Sequence, residues 1–586
     1  MKRTASLLLF LAFAFACTTA VPPVTAPAAS ASAPVHIVIV GTTDVHGWFD
    51  GHTEAVKNTP LRIRYGGVDV LAGYLDALRA ANPGHVVVVD SGDLFQGTLE
   101  SNLFEGEPVV RAYNAIGYTA SAVGNHEFDY GPVGPDSVVR TPGEDPLGAL
   151  KRNARLASFP FLSANMVEKA TGRTPSWAKP WIITDVGGVK LGIVGLSTPD
   201  TPNTTVASNV ATLAFTDPVP AAERAAQEAR AAGADAIVVI AHMGGRCTDL
   251  VDVNDVASCD EKQEAMRFLE ALPRGTIDAY FAGHTHQQMR ELVNGVPAAQ
   301  ALPYGEAFST IDLWVDPSAH RAVAARSRIR PPTMVCTDVF RGTEECDPRH
   351  APAAVEFVPR VYEGEVIHAD ARITAVIQPY LERVAAKRAE LVGIRTSGTF
   401  TNGFERESTL GDLTADATRI ATGADFAVMN PGGLRSPLPA GDLTFEQIFE
   451  VSPFDNYPAI VTMTGAQIAD LIGLSVKGDR GILQVSGLRF VADAAKRAGD
   501  PVFSITKSDG TPLDPAALYR VAMPDFLANG GDGLLPVTQT IPPARLSVDQ
   551  SRMMRDVLIE GLRRMPQPLA PKLDGRISVL NAPPPT

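Results

Sequence analysis

The stretch HIVIVGTTDVH (residues 36–46) runs from β-branched residues through a glycine to two candidate metal ligands, Asp44 and His46. A short apolar run that stops at glycine suits a buried strand, and the polar residues after it then lie at the strand's end. The pattern recurs along the first half. HVVVVD (85–90) leads into Asp93 in SGDLFQG, ADAIVVIAH (234–242) delivers His242, and IDAYFAGHTH (277–286) delivers His284 and His286. Asn125 sits in VGNHEFD, VKLGIVGL (189–196) reads as a further buried strand, and an alanine-rich helix is expected at 219–232. Ligands gathered at strand ends fit an open α/β sheet, where sites form beyond the carboxyl ends. Rigid strands also hold a site better than long loops do.

These seven residues share a chemistry. Oxygen donors, neutral imidazoles and one carboxylate able to span two ions are what a pair of divalent metals needs. The reaction class they point to is metal-assisted hydrolysis of a phosphate ester or anhydride. Asp90, close to Asp93, reads instead as the last position of its strand. Glu127 is no zincin glutamate, because HEFDY lacks the second histidine of HExxH.

At 586 residues the chain is too long for one core, so two domains and a linker are expected. With 45% hydrophobic and 20% charged residues it reads as globular. A net charge of −14 argues against a nucleic-acid polymer or an anionic membrane as the main partner. Metal ions and a few arginines can still make a local pocket for an anionic substrate.

The N-terminus reads as a secretory signal: Lys2 and Arg3 precede the apolar run LLLFLAFAFA (7–16), which is too short to span a membrane. The run ends at Cys17 in AFAC. Two readings stand, a lipidated Cys17 after a lipobox-like string or ordinary cleavage near the alanine-rich stretch that follows. Either leaves a flexible tether at 17–34 and an exported protein, in the periplasm or at the cell surface. Setting Cys17 aside, four cysteines remain in two close pairs, each in a polar, loop-like stretch. Local disulfides 247–259 and 336–346 are expected in an oxidising compartment, and the lack of CxxC spacing disfavours a zinc site.

The five strings resemble the calcineurin-like metallophosphatase pattern. GNHEFD and the motifs of the second half narrow the resemblance to the 5′-nucleotidase/UDP-sugar hydrolase family, over residues 35 to about 575. The resemblance implies an α/β fold in three parts. A metallophosphatase sandwich of two packed mixed sheets flanked by helices spans 35–350, a linker with a helix 351–393, and an α/β substrate-binding domain 394–575, before a tail at 576–586. It also implies two divalent ions, zinc, manganese or similar. Asp44, His46 and His286 would hold one and Asn125, His242 and His284 the other, with Asp93 bridging. Some members carry glutamine or asparagine at the position of His286, a difference that bears on metal preference. The family's catalytic dyad falls on His126 and Asp129. His126 would offset developing charge and protonate the leaving oxygen, and Asp129 would orient the imidazole and raise its pKa.

In ARITAVIQPYLERVAAKRAELVG (371–393), Ile373, Ile377, Leu381, Val384 and Leu391 keep near-helical spacing, and Pro379 is expected to kink the helix or begin a second one. In the family a linker helix joins two domains that rotate, which puts a hinge near 392–397. RESTLGDLTADA (406–417) resembles the family's RExNxGNLxxDA motif, with Thr409 and Asp412 in place of asparagines, and makes Arg406 a phosphate or ribose contact. FAVMNPGGLR (426–435) resembles its NGGGIR loop. Asn430 and Arg435 match, glycines such as Gly433 let the backbone approach a ligand, and Pro431 replaces the first glycine. Arg435 would pair with the transferred phosphate. Phe454 in VSPFDN and Phe526 in PDFLANGGDG would clamp a flat base, and Asp532 would accept a hydrogen bond from a ribose hydroxyl.

The activity implied is phosphate release from nucleoside 5′-monophosphates by attack of activated water. Other family activities are UDP-sugar or dinucleotide pyrophosphatase and 2′,3′-cyclic nucleotide phosphodiesterase. A thiosulfohydrolase acting on a sulfur-bearing carrier protein would have little use for a base clamp. A non-catalytic surface binding protein should have lost ligands, and all seven are present. The sequence assigns no oligomeric state.

Overall fold

A computed structural model describes residues 33–581 apart from residues 58, 479 and 497–499. The signal region, Cys17 and nearly all of the tether lie outside the described residues.

The first half is built on two sheets packed face to face. In one, the strands Val35–Thr42, Val86–Asp90, Ala120–Ala122, Phe161–Leu162 and Ala178–Lys179 run parallel, and Ala307–Asp316 pairs antiparallel with the first of them. In the other, Val189–Ser197, Ala236–His242, Ala279–Phe281 and Val296–Gln300 run parallel between antiparallel edges Trp181–Val186 and Met289–Val293. Both sheets are mixed. Ile37, Ile39, Val87, Val89, Ile193, Val238, Ile240 and Phe281 fill the space between them. Alternate residues of the same strands face outward and are also buried. The helices Val68–Ala81 and Glu107–Ile116 cover the first sheet, and Pro218–Ala231 and Glu264–Ala271 the second. Burial on both faces is why these strands read as unbroken apolar runs.

Two glycines set how closely the sheets approach. A Cβ on Gly41 would fall 2.2 Å from a ring carbon of Phe281, and one on Gly195 would fall 2.3 Å from the Leu162 carbonyl oxygen. The second contact is with backbone, which cannot swing aside. Gly195→Ala is therefore expected to destabilise the first half by about 3 kcal/mol, read as a lower denaturation midpoint. A midpoint within error of the parent would show that the sheets can part without cost.

The two expected disulfides, Cys247–Cys259 and Cys336–Cys346, are both formed. Among the described residues no helix is long and apolar enough to cross a membrane.

The linker helix runs unbroken over Ala371–Arg388 and passes through Pro379, so no second helix begins there. Pro379 lies on the exposed face, where the carbonyl it leaves unpaired can turn to water. Ile373, Ile377 and Val384 form the buried stripe. Leu391 departs from that stripe. It is exposed and opens the strand Leu391–Thr396, which pairs with Gly441–Thr444 and contains most of the stretch read as a hinge.

The second half has a five-stranded sheet of Gln484–Ser486, Phe426–Met429, Leu518–Pro524, Pro458–Thr464 and Leu546–Val548 in that order, with a smaller three-stranded sheet beside it. It is docked on the first half. Asn102 Nδ2 donates to the Pro453 carbonyl (3.0 Å), Ser137 Oγ to that of Asp455 (3.3 Å), and Arg480 pairs with Asp200.

Candidate active site

The seven candidate ligands converge where the parallel strands of both sheets end. Asp44, His46, Asp93 and Asn125 follow three neighbouring strands of the first sheet. His242 closes the second sheet's Ala236–His242, and His284 and His286 follow the adjoining Ala279–Phe281. Potential ligand atoms of Asp44, His46 and His286 lie within 4.8 Å of one another, as do those of Asp93, His242 and His284. The carboxylate of Asp93 connects the groups: its Oδ2 lies 3.0 Å from His242 Nε2 and 3.6 Å from His46 Nε2. Asn125 Oδ1 lies 3.1 Å from His242 Nε2.

Five of the seven adopt left-handed backbone: Asp44 (φ 50°), His46 (48°), Asp93 (59°), His284 (80°) and His286 (55°). That region is uncommon for residues with a Cβ and costs of order 1–3 kcal/mol each. It is held here by hydrogen bonds between neighbouring strand ends. Asp44 N–H donates to Gly92 O, His46 N–H to Asp93 O, and both carboxylate oxygens of Asp44 accept from His284 N–H at 3.0 Å.

The imidazole orientations test whether this set suits a cation. His46 Nδ1 contacts the Gln96 carbonyl at 2.7 Å and His242 Nδ1 the Ser91 carbonyl at 2.9 Å. A carbonyl only accepts, so each Nδ1 carries the proton and a neutral ring turns a bare Nε2 inward. Those lone pairs face carboxylate and amide oxygens, and His46 Nε2 and His286 Nε2 face each other at 3.0 Å. Lone pair against lone pair is repulsive unless a positive charge lies between. Burial opposes a charged His242, yet Asp93, Asp44 and Glu127 push its pKa up to about 10. Burial and charged His242 instead hold His284 down to about 3. Burial likewise resists ionisation of Asp93, but His242, His126 and His46 keep its pKa well below the usual range. The donor set fits divalent metal ions.

His126 begins a short 3₁₀ turn, His126–Phe128, directly after Asn125. Its N–H donates to Asp93 Oδ1 at 2.8 Å, and its Nδ1 lies 2.6 Å from Asp129 Oδ2. Asp129 is itself fixed by the Thr205 hydroxyl at 2.7 Å. Burial lowers the pKa of His126, but Asp129 and Asp93 outweigh it and the net shift is upward.

Two residues that the motifs do not single out also shape the site. Glu127 accepts from the N–H groups of Asp93 (2.9 Å), Leu94 (2.6 Å) and Gly124 (2.6 Å), tying the Asp93 loop to the Asn125 loop. Tyr304, in the featureless string LPYGEA, stands with its ring centroid 5.2 Å from that of His286 and 5.8 Å from that of His46. Only the third dimension reveals either role. Asp90 is structural: buried, it is bonded by the Thr42 and Tyr113 hydroxyls and by Gly92 N–H, and burial raises its pKa to about 7.

From the second half, Arg435 reaches this centre, its Nη2 3.1 Å from His46 Nε2 and 3.3 Å from His286 Nε2. The Phe454 ring centroid is 5.4 Å from that of His126 and 5.8 Å from the Arg435 guanidinium carbon. Phe454 thus lies beside both His126 and Arg435. Asn430 Nδ2 donates to Asp532 Oδ2 at 2.7 Å. Burial raises the pKa of Asp532 to about 6, against the pull of Asn430 and Arg480. Gly433 packs on Asn430, and Phe526 lies over Gly531, where a Cβ would meet its ring at 2.4 Å. Arg406 is half-buried, with its carbonyl tied to Gln484 Nε2 at 3.0 Å. The two departures from its motif point elsewhere: Thr409 Oγ1 accepts from Thr401 N–H, and Asp412 lies 3.4 Å from Arg576 Nε.

Comparison with known proteins matches both halves. The calcineurin-like phosphoesterase model fits residues 37–288 and the 5′-nucleotidase C-terminal domain model residues 384–540. Protein UshA of Escherichia coli is 27% identical over 529 residues, covering 85% of this chain and 86% of that protein. A 5′-nucleotidase of Vibrio cholerae is 28% identical over 541 residues, covering 86% of each. The solved 5′-nucleotidase precursor of Thermus thermophilus superposes with a TM-score of 0.73 at 25% identity, covering 94% of this chain and 100% of that one. The two domain types, in this order and over this site, make the chain a member of the 5′-nucleotidase family of calcineurin-like metallophosphatases.

Proposed function

We propose that this hydrolase is exported and releases phosphate from nucleoside 5′-monophosphates, using two divalent ions of the zinc or manganese kind. The reach of Arg435 carries the reading. A guanidinium from the second half stands within 3.3 Å of two imidazoles of the first, so one phosphate can meet both. When bound, the ions would acidify a water for attack on phosphorus and neutralise the phosphoryl oxygens. Asp44, His46 and His286 would hold one ion and Asn125, His242 and His284 the other, with Asp93 available to both. Arg435 orients the phosphate. His126, kept protonated by Asp129, carries the proton for the leaving oxygen. Phe454 and Phe526 stack on the base, Asp532 and Asn430 hold the ribose, and Arg406 contacts the phosphate or ribose.

The test is a substrate panel of AMP, UMP, UDP-glucose, NAD, 2′,3′-cyclic AMP and p-nitrophenyl phosphate, with Phe526→Ala in parallel. The nucleoside monophosphates are expected to lead in kcat/KM. Phe526→Ala is expected to raise KM for AMP roughly 5–100-fold, by loss of one stacking face, while turnover of the aryl phosphate stays unchanged. Equal kcat/KM for AMP and the aryl phosphate would remove base recognition, and a lead for UDP-glucose would move the assignment to pyrophosphate cleavage.

A further inference from the structure

After the strand Val189–Ser197 the chain makes one short helical turn, Thr201–Thr204. The segment around it, residues 200–209, lies against the loop that carries His126 and Asp129, and three hydrogen bonds join the two. Asn125 Nδ2 donates to the Thr204 carbonyl (3.1 Å), Thr205 Oγ1 to Asp129 Oδ1 (2.7 Å), and Asn209 Nδ2 to the Phe128 carbonyl (2.9 Å). Two of them set an orientation. A carbonyl only accepts, so Thr204 O holds the NH₂ of Asn125 on its side and leaves Oδ1 facing His242 Nε2. Thr205 occupies one oxygen of Asp129 and leaves the other, Oδ2, to His126 Nδ1 at 2.6 Å. Thr205 and Asn209 are both buried, where water does not compete for these bonds.

The turn is braced internally. Thr201 Oγ1 donates to the Thr198 carbonyl (2.7 Å), Asn203 N–H to that of Asp200 (2.8 Å), and Asn203 Nδ2 to Asp200 Oδ1 (2.6 Å). A displacement at Asp200 is therefore passed on to Thr204 and Thr205 rather than absorbed between them.

Asp200 is where the second half takes hold. Its Oδ2 pairs with Arg480, which follows the helix Gly465–Lys477. The turn also touches Gly531–Gly533, and Asp200, Asn203, Arg480 and Asp532 line one cavity of about 270 Å³ between the halves. Both partners of the ion pair are partly open to water, so it adds little to stability. What it fixes is the place of the turn.

We propose that Thr205 and Asp200 are positioning residues through which the second half completes the His126–Asp129 pair. Arg480 holds Asp200, the turn holds Thr205, and Thr205 holds Asp129 in the orientation that His126 needs to protonate the leaving oxygen. A phosphate ester then receives full help for its leaving group only while the half that carries Asp532 is docked. The inference rests on the proton-donor role proposed for His126, and on no particular base.

The test is a mutant cycle on the full chain saturated with manganese, with kcat measured on AMP and on p-nitrophenyl phosphate. Thr205→Val, which keeps the shape and loses the hydroxyl, is expected to cost roughly 10-fold on AMP and less than about 3-fold on the aryl phosphate. Thr205→Ser, which keeps the hydroxyl, should stay within about 3-fold of the parent on both. Arg480→Gln should cost about 3-fold on AMP, and the double variant no more than Thr205→Val alone, because both act along one path. Losses that multiply overturn the coupling between the halves. Equal losses of Thr205→Val on both substrates, or a Thr205→Ser as poor as Thr205→Val, overturn the role of the hydroxyl. His126→Gln, run alongside, separates this failure from that of its premise. Equal losses for His126→Gln withdraw the proton donor and the proposal with it, whereas unequal losses there with equal ones for Thr205→Val sink the proposal alone. If Thr205→Val does not fold, Arg480→Gln decides by the same contrast between the two substrates.

Discussion

Asp93→Asn is expected to cut phosphate release by about 10³-fold or more, with added manganese failing to restore it. The size of the effect follows from how many partners one carboxylate serves. Oδ2 faces His242 at 3.0 Å and His46 at 3.6 Å, and Oδ1 accepts the His126 N–H at 2.8 Å. An amide has one oxygen and one NH₂ group for these two duties. If its oxygen stays with His126, its NH₂ donates into the inward lone pairs of His46 and His242. If its oxygen turns inward, the NH₂ meets the His126 N–H donor to donor. Both orientations also lose the negative charge that would sit between two cations. Metal content measured by atomic emission provides a second readout and should fall with activity. Near-parental turnover with full metal content would dismiss Asp93 as the shared ligand.

His126→Gln is the second large effect, about 10²–10⁴-fold in kcat on AMP. The loss should depend on the leaving group. A ribose 5′-oxygen needs a proton as it departs, and the 2.6 Å contact of His126 Nδ1 with Asp129 leaves the other ring nitrogen free to supply it. Nitrophenolate is stable as an anion and needs little help, so p-nitrophenyl phosphate should lose less than about 10-fold. Equal losses on both substrates would confine His126 to charge stabilisation. Asp129→Asn should follow the same leaving-group trend more weakly, since it acts through the imidazole.

Much of this was legible in the chain because the relevant signals are local. HIVIV and AIVVIAH are apolar because both faces of their strands are covered, and their glycines and histidines mark where each strand ends. GNHEFD and NGGDG are recognisable within a few residues. Roles created by folding were not legible. Glu127 could be excluded as a zincin residue, but its three backbone partners lie in loops brought together by the sheet. Tyr304 has no motif at all. Leu391 fits a helical stripe by spacing, yet strand pairing with Gly441–Thr444 takes it out of the helix. Pro379 is tolerated because the face it occupies is wet. Phe454 was readable as an aromatic near polar residues, but its packing on His126 is a contact between two halves separated by the whole linker.

The left-handed backbone at Asp44, His46, Asp93, His284 and His286 bears on how this centre should be taken apart. Alanine is the customary blank for deleting a side chain, but here it would retain the Cβ and with it the conformational burden, while removing the group that justified it. Glycine occupies those angles freely. At these five positions glycine is therefore the cleaner deletion, separating loss of a donor atom from distortion of the loop. At Asn125 and His242, which do not share those angles, alanine remains the proper control.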